Sequence, residues 1–157
     1  MTARARPGDL IVASIHWGPN WGYHVRDQES RFARRLARDG VHVVHGHSSH
    51  HVKGLEIHAD RPLLYGCGDF INDYEGIGGK EEYRPDLVLP YLPEFDPRHG
   101  RLVALRLVPL QVQRFRLQRA TISDVEWLAA LLNRLGATVG TRAEVSTSGE
   151  LEVVWER

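Results

Sequence analysis

A strand, a helix and a second strand follow one another near the start of the sequence, and that succession most constrains the fold. Leu10 to Ile15 is a short, largely apolar run rich in β-branched residues, as a buried strand requires. Gly18, Pro19, Asn20 and Gly22 break regular structure between His16 and Arg26, so a loop follows. Asp27 is placed to cap a helix with Phe32 and Leu36 on one face beside Ala33 and Ala37. Arg31, Arg34, Arg35 and Arg38 form its solvated side, and Gly40 stands where it should stop. Val41 to His45 reads as a second buried strand ending at Gly46. A βαβ unit of about 35 residues implies parallel strands and a right-handed crossover, hence an α/β fold.

The rest of the chain supplies further strands, one helix and a terminal hairpin. Pro62 to Gly66 reads as a third short strand. Residues 68–97 carry Gly76, Gly78, Gly79, Pro85, Pro90, Pro93 and Pro97 and read as one long irregular loop, of the kind that serves as a lid or binding segment. Its Tyr74, Tyr83 and Tyr91 offer a surface for a polymer or a protein partner. Leu102 to Pro109 alternates as a strand does, with Val112 to Leu117 as its antiparallel neighbour. Ser123 and Glu126 form a capping box for a helix over Asp124 to Leu135, with Gly136 as its stop. Ala143 to Ser146 and Leu151 to Trp155 flank Ser148-Gly149 as a hairpin. Residues 1–157 read as one domain.

Composition excludes some function classes. Twenty basic residues balance twenty acidic ones, so no global field favours nucleic acid. Cys67 is the single cysteine and has no internal disulfide partner. No apolar run approaches the roughly 18 residues of a membrane span, and Met1 to Pro7 leads into no signal-peptide core. As written, the sequence reads as cytoplasmic.

The histidines carry the functional signal. There are nine, and three are informatively placed. His16 falls just past the end of the first strand, in His16-Trp17-Gly18; His47 and His50 fall just past the end of the second, in Gly46-His47-Ser48-Ser49-His50-His51. In an open α/β sheet, ligands bind beyond the carboxyl ends of parallel strands. Imidazoles delivered there from two adjacent strands suit zinc, manganese or iron. A lone loop histidine is ordinarily solvated, and His24, His42, His58 and His99 lack such placement. His45 and His51 flank the cluster; strand alternation turns His45 away from Val44, and its role stays open.

The series His16-Trp17-Gly18, Gln28, Gly46-His47-x-x-His50, Gly54-x-Glu56 and Tyr65-Gly66-x-Gly68-x-Phe70 resembles the CapA family. That family is associated with bacterial poly-γ-glutamate capsule synthesis and belongs to the calcineurin-like metallophosphoesterase superfamily. Order and spacing match from about Asp9 to Asp73, thinning beyond Asp124. The resemblance implies the carboxy-terminal half of a metallophosphoesterase-like α/β sandwich. It also implies a divalent metal ion (Mn, Fe or Zn) held by His16, His47 and His50, with His16 and His50 acting in catalysis. Trp17, Glu56 and Asp69 would support them. The sequence departs from the family at Ser48 and Ser49, where it has histidine and proline, and at Asp69, where it has asparagine.

The family's metal-bridging aspartate and its Gly-Asp and Gly-Asn motifs have no counterpart here. Two-metal phosphoester cleavage needs ions about 3.5–4 Å apart, held by such a carboxylate. The resemblance therefore implies an incomplete site, needing a chain that supplies the amino-terminal half, or a homo-oligomer. Three functions fit: a metal-dependent hydrolase of a phosphoester or polymer, a non-catalytic binding or assembly module for polymer synthesis, and a mononuclear zinc hydrolase with an open fourth position. Family members are often membrane-anchored.

Overall fold

The computed structural model describes residue 6, residues 8–72 and residues 79–156. The fold is mixed α/β. The βαβ unit is present as β1 (Val12–His16), α1 (Asp27–Arg38) and β2 (Val43–His47). β1 and β2 are parallel, pairing Val12 with Val43, Ser14 with His45 and His16 with His47. β4 (Arg61–Leu64) continues the sheet in parallel beside β2, and β3 (Leu55–His58) closes it antiparallel, giving the order β1-β2-β4-β3.

The sequence reading missed β3, a run of only four residues. Its hairpin to β4 turns on Ala59 and Asp60, whose φ values of 51° and 56° match a type I′ turn without the usual Asn-Gly. β2 also runs two residues beyond the expected end, with Gly46 inside it. A Cβ on Gly46 would overlap Trp17 Nε1 and lie 2.7 Å and 2.8 Å from the Leu64 and Tyr65 carbonyl oxygens. This glycine permits close packing; it does not stop a strand.

The cap of α1 falls on Arg26 instead of Asp27, with the Arg26 N–H donating to Glu29 Oε2 at 3.0 Å. Its buried stripe is Glu29, Ala33 and Ala37, while Phe32 is 51% exposed, against expectation. Two alanines let the helix sit close on the sheet and turn Phe32 outward. The C-terminus is a Schellman turn: Gly40 has φ 96°, its N–H bonds to Ala37 O at 3.2 Å, and that of Val41 to Leu36 O at 3.0 Å.

Residues 68–97 are not one loop where they are described. They hold a 3-10 turn (Glu81–Tyr83), β5 (Leu87–Val88) and β6 (Tyr91–Phe95); Tyr74, Gly76 and Gly78 lie outside the described residues. Pro93 is tolerated because β6 edges its sheet. That antiparallel sheet runs β10 (Thr141–Val145), β11 (Leu151–Trp155), β7 (Leu102–Leu107), β6, and it includes the expected terminal hairpin. Residues 112–117 do not flank β7. They divide at Arg114-Phe115 between β8 (Leu110–Gln113) and β9 (Arg116–Arg119), which join β5 in a third sheet. Helix α2 (Ile122–Gly136) starts earlier than expected, because Thr121 and Asp124 form the capping box in place of Ser123 and Glu126.

Two apolar clusters cover the first sheet. Val44 and Leu63 face α1 with Ala33, Ala37 and Tyr65. Val43 and Leu64 face the opposite way, toward Leu105, Leu128, Leu132 and Leu151. Among the described residues this second face is open at β1, and Val12 is 57% exposed. Among the described residues, no helix is long and apolar enough to cross a membrane.

Candidate functional site

The parallel register of β1 and β2 brings His16 and His47 side by side. Their rings meet edge to face with centroids 5.1 Å apart. His45, two residues earlier on the same strand face, lies 5.7 Å from His47, ring to ring. Its Nδ1 is 3.0 Å from Ser14 Oγ across the ladder. Burial, and then the neighbouring His47, push the His45 imidazolium toward losing its proton.

Trp17 fastens the loop that leaves β1. Its backbone N–H donates to His47 O at 3.0 Å, and its indole Nε1–H crosses Gly46 to Tyr65 O at 3.0 Å. The indole stacks near-parallel with Tyr65 at 6.1 Å. Ser48, at φ 123°, donates its hydroxyl to Gly18 O at 3.1 Å, joining the two histidine-bearing loops.

His50 is engaged differently. Its Nδ1 sits 3.0 Å and 3.1 Å from the two Asp69 oxygens, and its Nε2 lies 3.2 Å from Asn20 Nδ2. An ionised carboxylate only accepts, so Nδ1 carries the proton and Nε2 accepts from the Asn20 amide. The His50 N–H also donates to Asn20 O at 3.1 Å. The ring lies 5.5 Å from that of Trp21.

Glu56 lies buried on the α1 side. Arg34 grips it bidentately at 2.8 Å and 3.1 Å, and Tyr65 donates its hydroxyl at 2.8 Å. The hydrogen bond it donates to Glu56 holds the Arg34 guanidinium above its ordinary range. Burial, and then the adjacent Glu56 charge, push the Tyr65 phenol well up. Glu56 thus connects to the histidine loops through Tyr65 and Trp17.

The sequence reading marked neither of two further groups as buried. Lys53 runs under Gly66, where a Cβ would come within 2.7 Å of its stem, and donates from Nζ to His24 O at 3.1 Å. Burial pushes its amine down, opposed by the charge of Glu29. His51 is fully buried, its Nδ1–H donating to Val52 O at 2.9 Å amid Trp21, Tyr23 and Tyr83. Neither has a local signal, because a lysine between Val52 and Gly54 and a histidine beside another histidine both read as solvated.

The structure thus pairs His16 with His47, adds His45 beside them, and turns His50 to Asp69 and Asn20. Among the described residues, no group of three or more histidine, cysteine, aspartate or glutamate side chains is arranged to hold a metal ion. The rings of His16 and His47 stand together at the strand ends.

Comparison with known proteins places the chain in a family associated with bacterial capsule synthesis. Residues 1–74 match the bacterial capsule synthesis protein family PGA_cap, and the chain belongs to the CapA family. It is 48% identical over 152 residues to the "Probable polyglutamine synthesis accessory protein" of Mycobacterium tuberculosis, an alignment covering 97% of this chain and 40% of that protein. It is 26% identical over 65 residues to the PGA biosynthesis protein CapA of Bacillus subtilis, covering 41% of this chain and 17% of that one. To the capsule biosynthesis protein CapA of Bacillus anthracis it is 22% identical over 105 residues, covering 67% and 24%. The chain therefore spans about 40% of the length of its Mycobacterium tuberculosis relative.

Proposed function

We propose that this chain supplies the histidine-bearing half of a ligand site in an accessory protein of glutamate-type polymer synthesis. The observation that carries this reading is the register pairing of His16 with His47 at the carboxyl ends of two parallel strands, one of them at the edge of its sheet. The Mycobacterium tuberculosis relative is far longer than the part aligned with this chain, and in a protein of that length further residues would complete the site. A divalent ion (Mn, Fe or Zn) bound there would polarise a phosphoryl or acyl oxygen. His16 and His47 would be its ligands from this chain. Carboxylates from an amino-terminal segment or a second chain would complete the set, and the open face of β1 is where such a segment would lie. Trp17, braced by Tyr65 and Gly46, keeps the His16 loop against the end of β2. His50, with its Nδ1 proton held by Asp69, presents Nε2 as a proton acceptor.

Metal titration by calorimetry tests this reading. The 157-residue chain should bind Zn²⁺ or Mn²⁺ weakly, and either His16→Ala or His47→Ala should abolish the heat, with His50→Ala reducing it less. A full-length relative should bind at least tenfold more tightly, about 1.4 kcal/mol. Retention of binding in the His16→Ala/His47→Ala double variant would sink the reading.

A second reading is an assembly module without chemistry, favoured by the word "accessory" in the name of the Mycobacterium tuberculosis relative. It predicts no metal dependence for either the chain or its full-length relative. The mononuclear zinc reading requires His50 Nε2 to exchange the Asn20 amide for the ion while Nδ1 stays on Asp69, which the calorimetry of His50→Ala also reports.

A further inference from the structure

By sequence Tyr83 belongs to an outer binding surface; the structure has it half-buried at the end of the 3-10 turn. Its ring touches three others, with centroids 4.7 Å from His51, 5.2 Å from Tyr23 and 5.6 Å from Trp21. Trp21 and Tyr23 lie on the loop between β1 and α1, and His51 on the stretch after β2. The same two stretches clasp His50. Its N–H donates to Asn20 O, its Nε2 accepts from the Asn20 amide, and its ring lies 5.5 Å from that of Trp21. Tyr83 is thus a wedge shared by both sides of the clasp.

Two features of this cluster exceed what packing requires. Arg84, the next residue, is left-handed with φ of 50°, a strained place for a long side chain. Ion pairs hold it there. Arg84 donates bidentately to Asp86 at 2.9 Å and 2.8 Å, and to Asp124 of α2 at 2.8 Å. Its guanidinium also lies 5.8 Å from the centre of the Trp127 ring. Within the cluster, the Tyr23 hydroxyl and His51 Nε2 are buried and have no hydrogen-bond partner among the described residues. Apolar side chains would fill that space without stranding a polar atom. Backbone strain and orphaned polar atoms together mark places where geometry serves function ahead of stability.

We propose that Tyr83 is a positioning residue for His50, and that Arg84 fixes it to α2. The Tyr83 ring joins Trp21 to His51 and so sets how Asn20 and His50 meet. A site whose side chains must be held to fractions of an ångström needs such a support behind it. The role of His50 as a proton acceptor rests on the function proposed above; its placement by Tyr83 does not.

Nuclear magnetic resonance of the 157-residue chain, with no metal added, tests this on the amide and ring signals of His50. In Tyr83→Ala the His50 amide should exchange its hydrogen about tenfold faster, and its Nε2 resonance should move as the Asn20 bond is lost. The His42 amide, bonded to Ile11 O at 2.8 Å before the other end of β2, should keep its rate. Tyr83→Phe keeps the ring and should match the parent in both signals. Arg84→Gly accepts the left-handed backbone without strain but drops the ion pairs, and should give the Tyr83→Ala changes to a smaller extent. Unchanged His50 signals in Tyr83→Ala overturn the proposal. So does faster exchange shared equally by His42, which would be a general loss of stability, or a Tyr83→Phe variant that behaves as Tyr83→Ala does. An unmoved His50 in Arg84→Gly overturns the part given to Arg84. None of these signals needs an ion, so failure here and failure of the metal calorimetry are told apart.

Discussion

His50 Nδ1 lies 3.0 Å from Asp69 Oδ2, which fixes the proton of the imidazole on Nδ1 and leaves Nε2 to accept from Asn20. Asp69→Ala removes the acceptor that selects this tautomer. Long-range ¹H–¹⁵N correlation spectra of the ring should then move from the Nδ1–H pattern toward the Nε2–H form that prevails in free histidine. Asp69→Asn, which restores the residue of the related motif, keeps one accepting oxygen and should retain the Nδ1–H pattern. An unaltered tautomer in Asp69→Ala would mean that Asp69 does not orient His50.

Glu56 carries structural weight that its motif position does not advertise. It is buried, accepts two bonds from Arg34 and one from Tyr65, and ties α1 to β3 and β4. Glu56→Ala should cost about 3 kcal/mol, because it strands Arg34 and the Tyr65 hydroxyl in a partly buried setting. Arg34 keeps some solvent access, which limits the loss. Tyr65→Phe should cost about 1 kcal/mol. Urea unfolding midpoints measure both, and a Glu56→Ala loss below that of Tyr65→Phe would refute the ranking.

The βαβ unit and the strand-end placement of His16 and His47 were legible because they rest on local patterns, a β-branched run, an amphipathic helix and a second apolar run. What was not legible depends on contacts distant in sequence. Gly46 reads as a terminator until Trp17 and the carbonyl oxygens of Leu64 and Tyr65 are seen against it. β3 escapes notice because four residues carry too little alternation, and its turn lacks glycine. The prolines at 90 and 93 suggested a loop, yet Pro93 lies in an edge strand that needs no donor there. His50 shares a motif with His47, but its direction is set by Asp69 and Asn20, far from it in sequence.

Gly46→Ala follows directly from that packing. The added methyl would strike the indole nitrogen of Trp17 and the carbonyls of β4 and its extension, none of which can withdraw without breaking the Trp17–Tyr65 bond. Overpacking of this kind costs roughly 1–3 kcal/mol, with more here because backbone must shift. The melting temperature should fall, and Trp17 fluorescence should move to longer wavelength as the indole is displaced. Pairing with Trp17→Ala should recover part of the loss, since the closest obstacle is removed. A fully additive double variant would show that the clash with Trp17 is not the cause.

His42 offers a test of pH dependence. Its Nδ1 accepts the Ile11 N–H at 3.0 Å, so the fold uses the neutral ring. Burial, and then the charge of Arg61, push its pKa below the usual imidazole value. The pKa values of His45, His51 and His58 are also lowered, each chiefly by burial. Unfolded histidines titrate near about 6.5. Between that value and the lower folded ones the unfolded chain binds more protons, so stability falls as pH drops. The urea midpoint should therefore decline from about pH 7.5 to about pH 5. His42→Asn keeps an acceptor for Ile11 without a titrating ring, and should flatten this slope while leaving stability near neutrality almost unchanged. His45, His51 and His58 contribute to the slope that remains. An identical slope in His42→Asn would exclude His42 as a contributor.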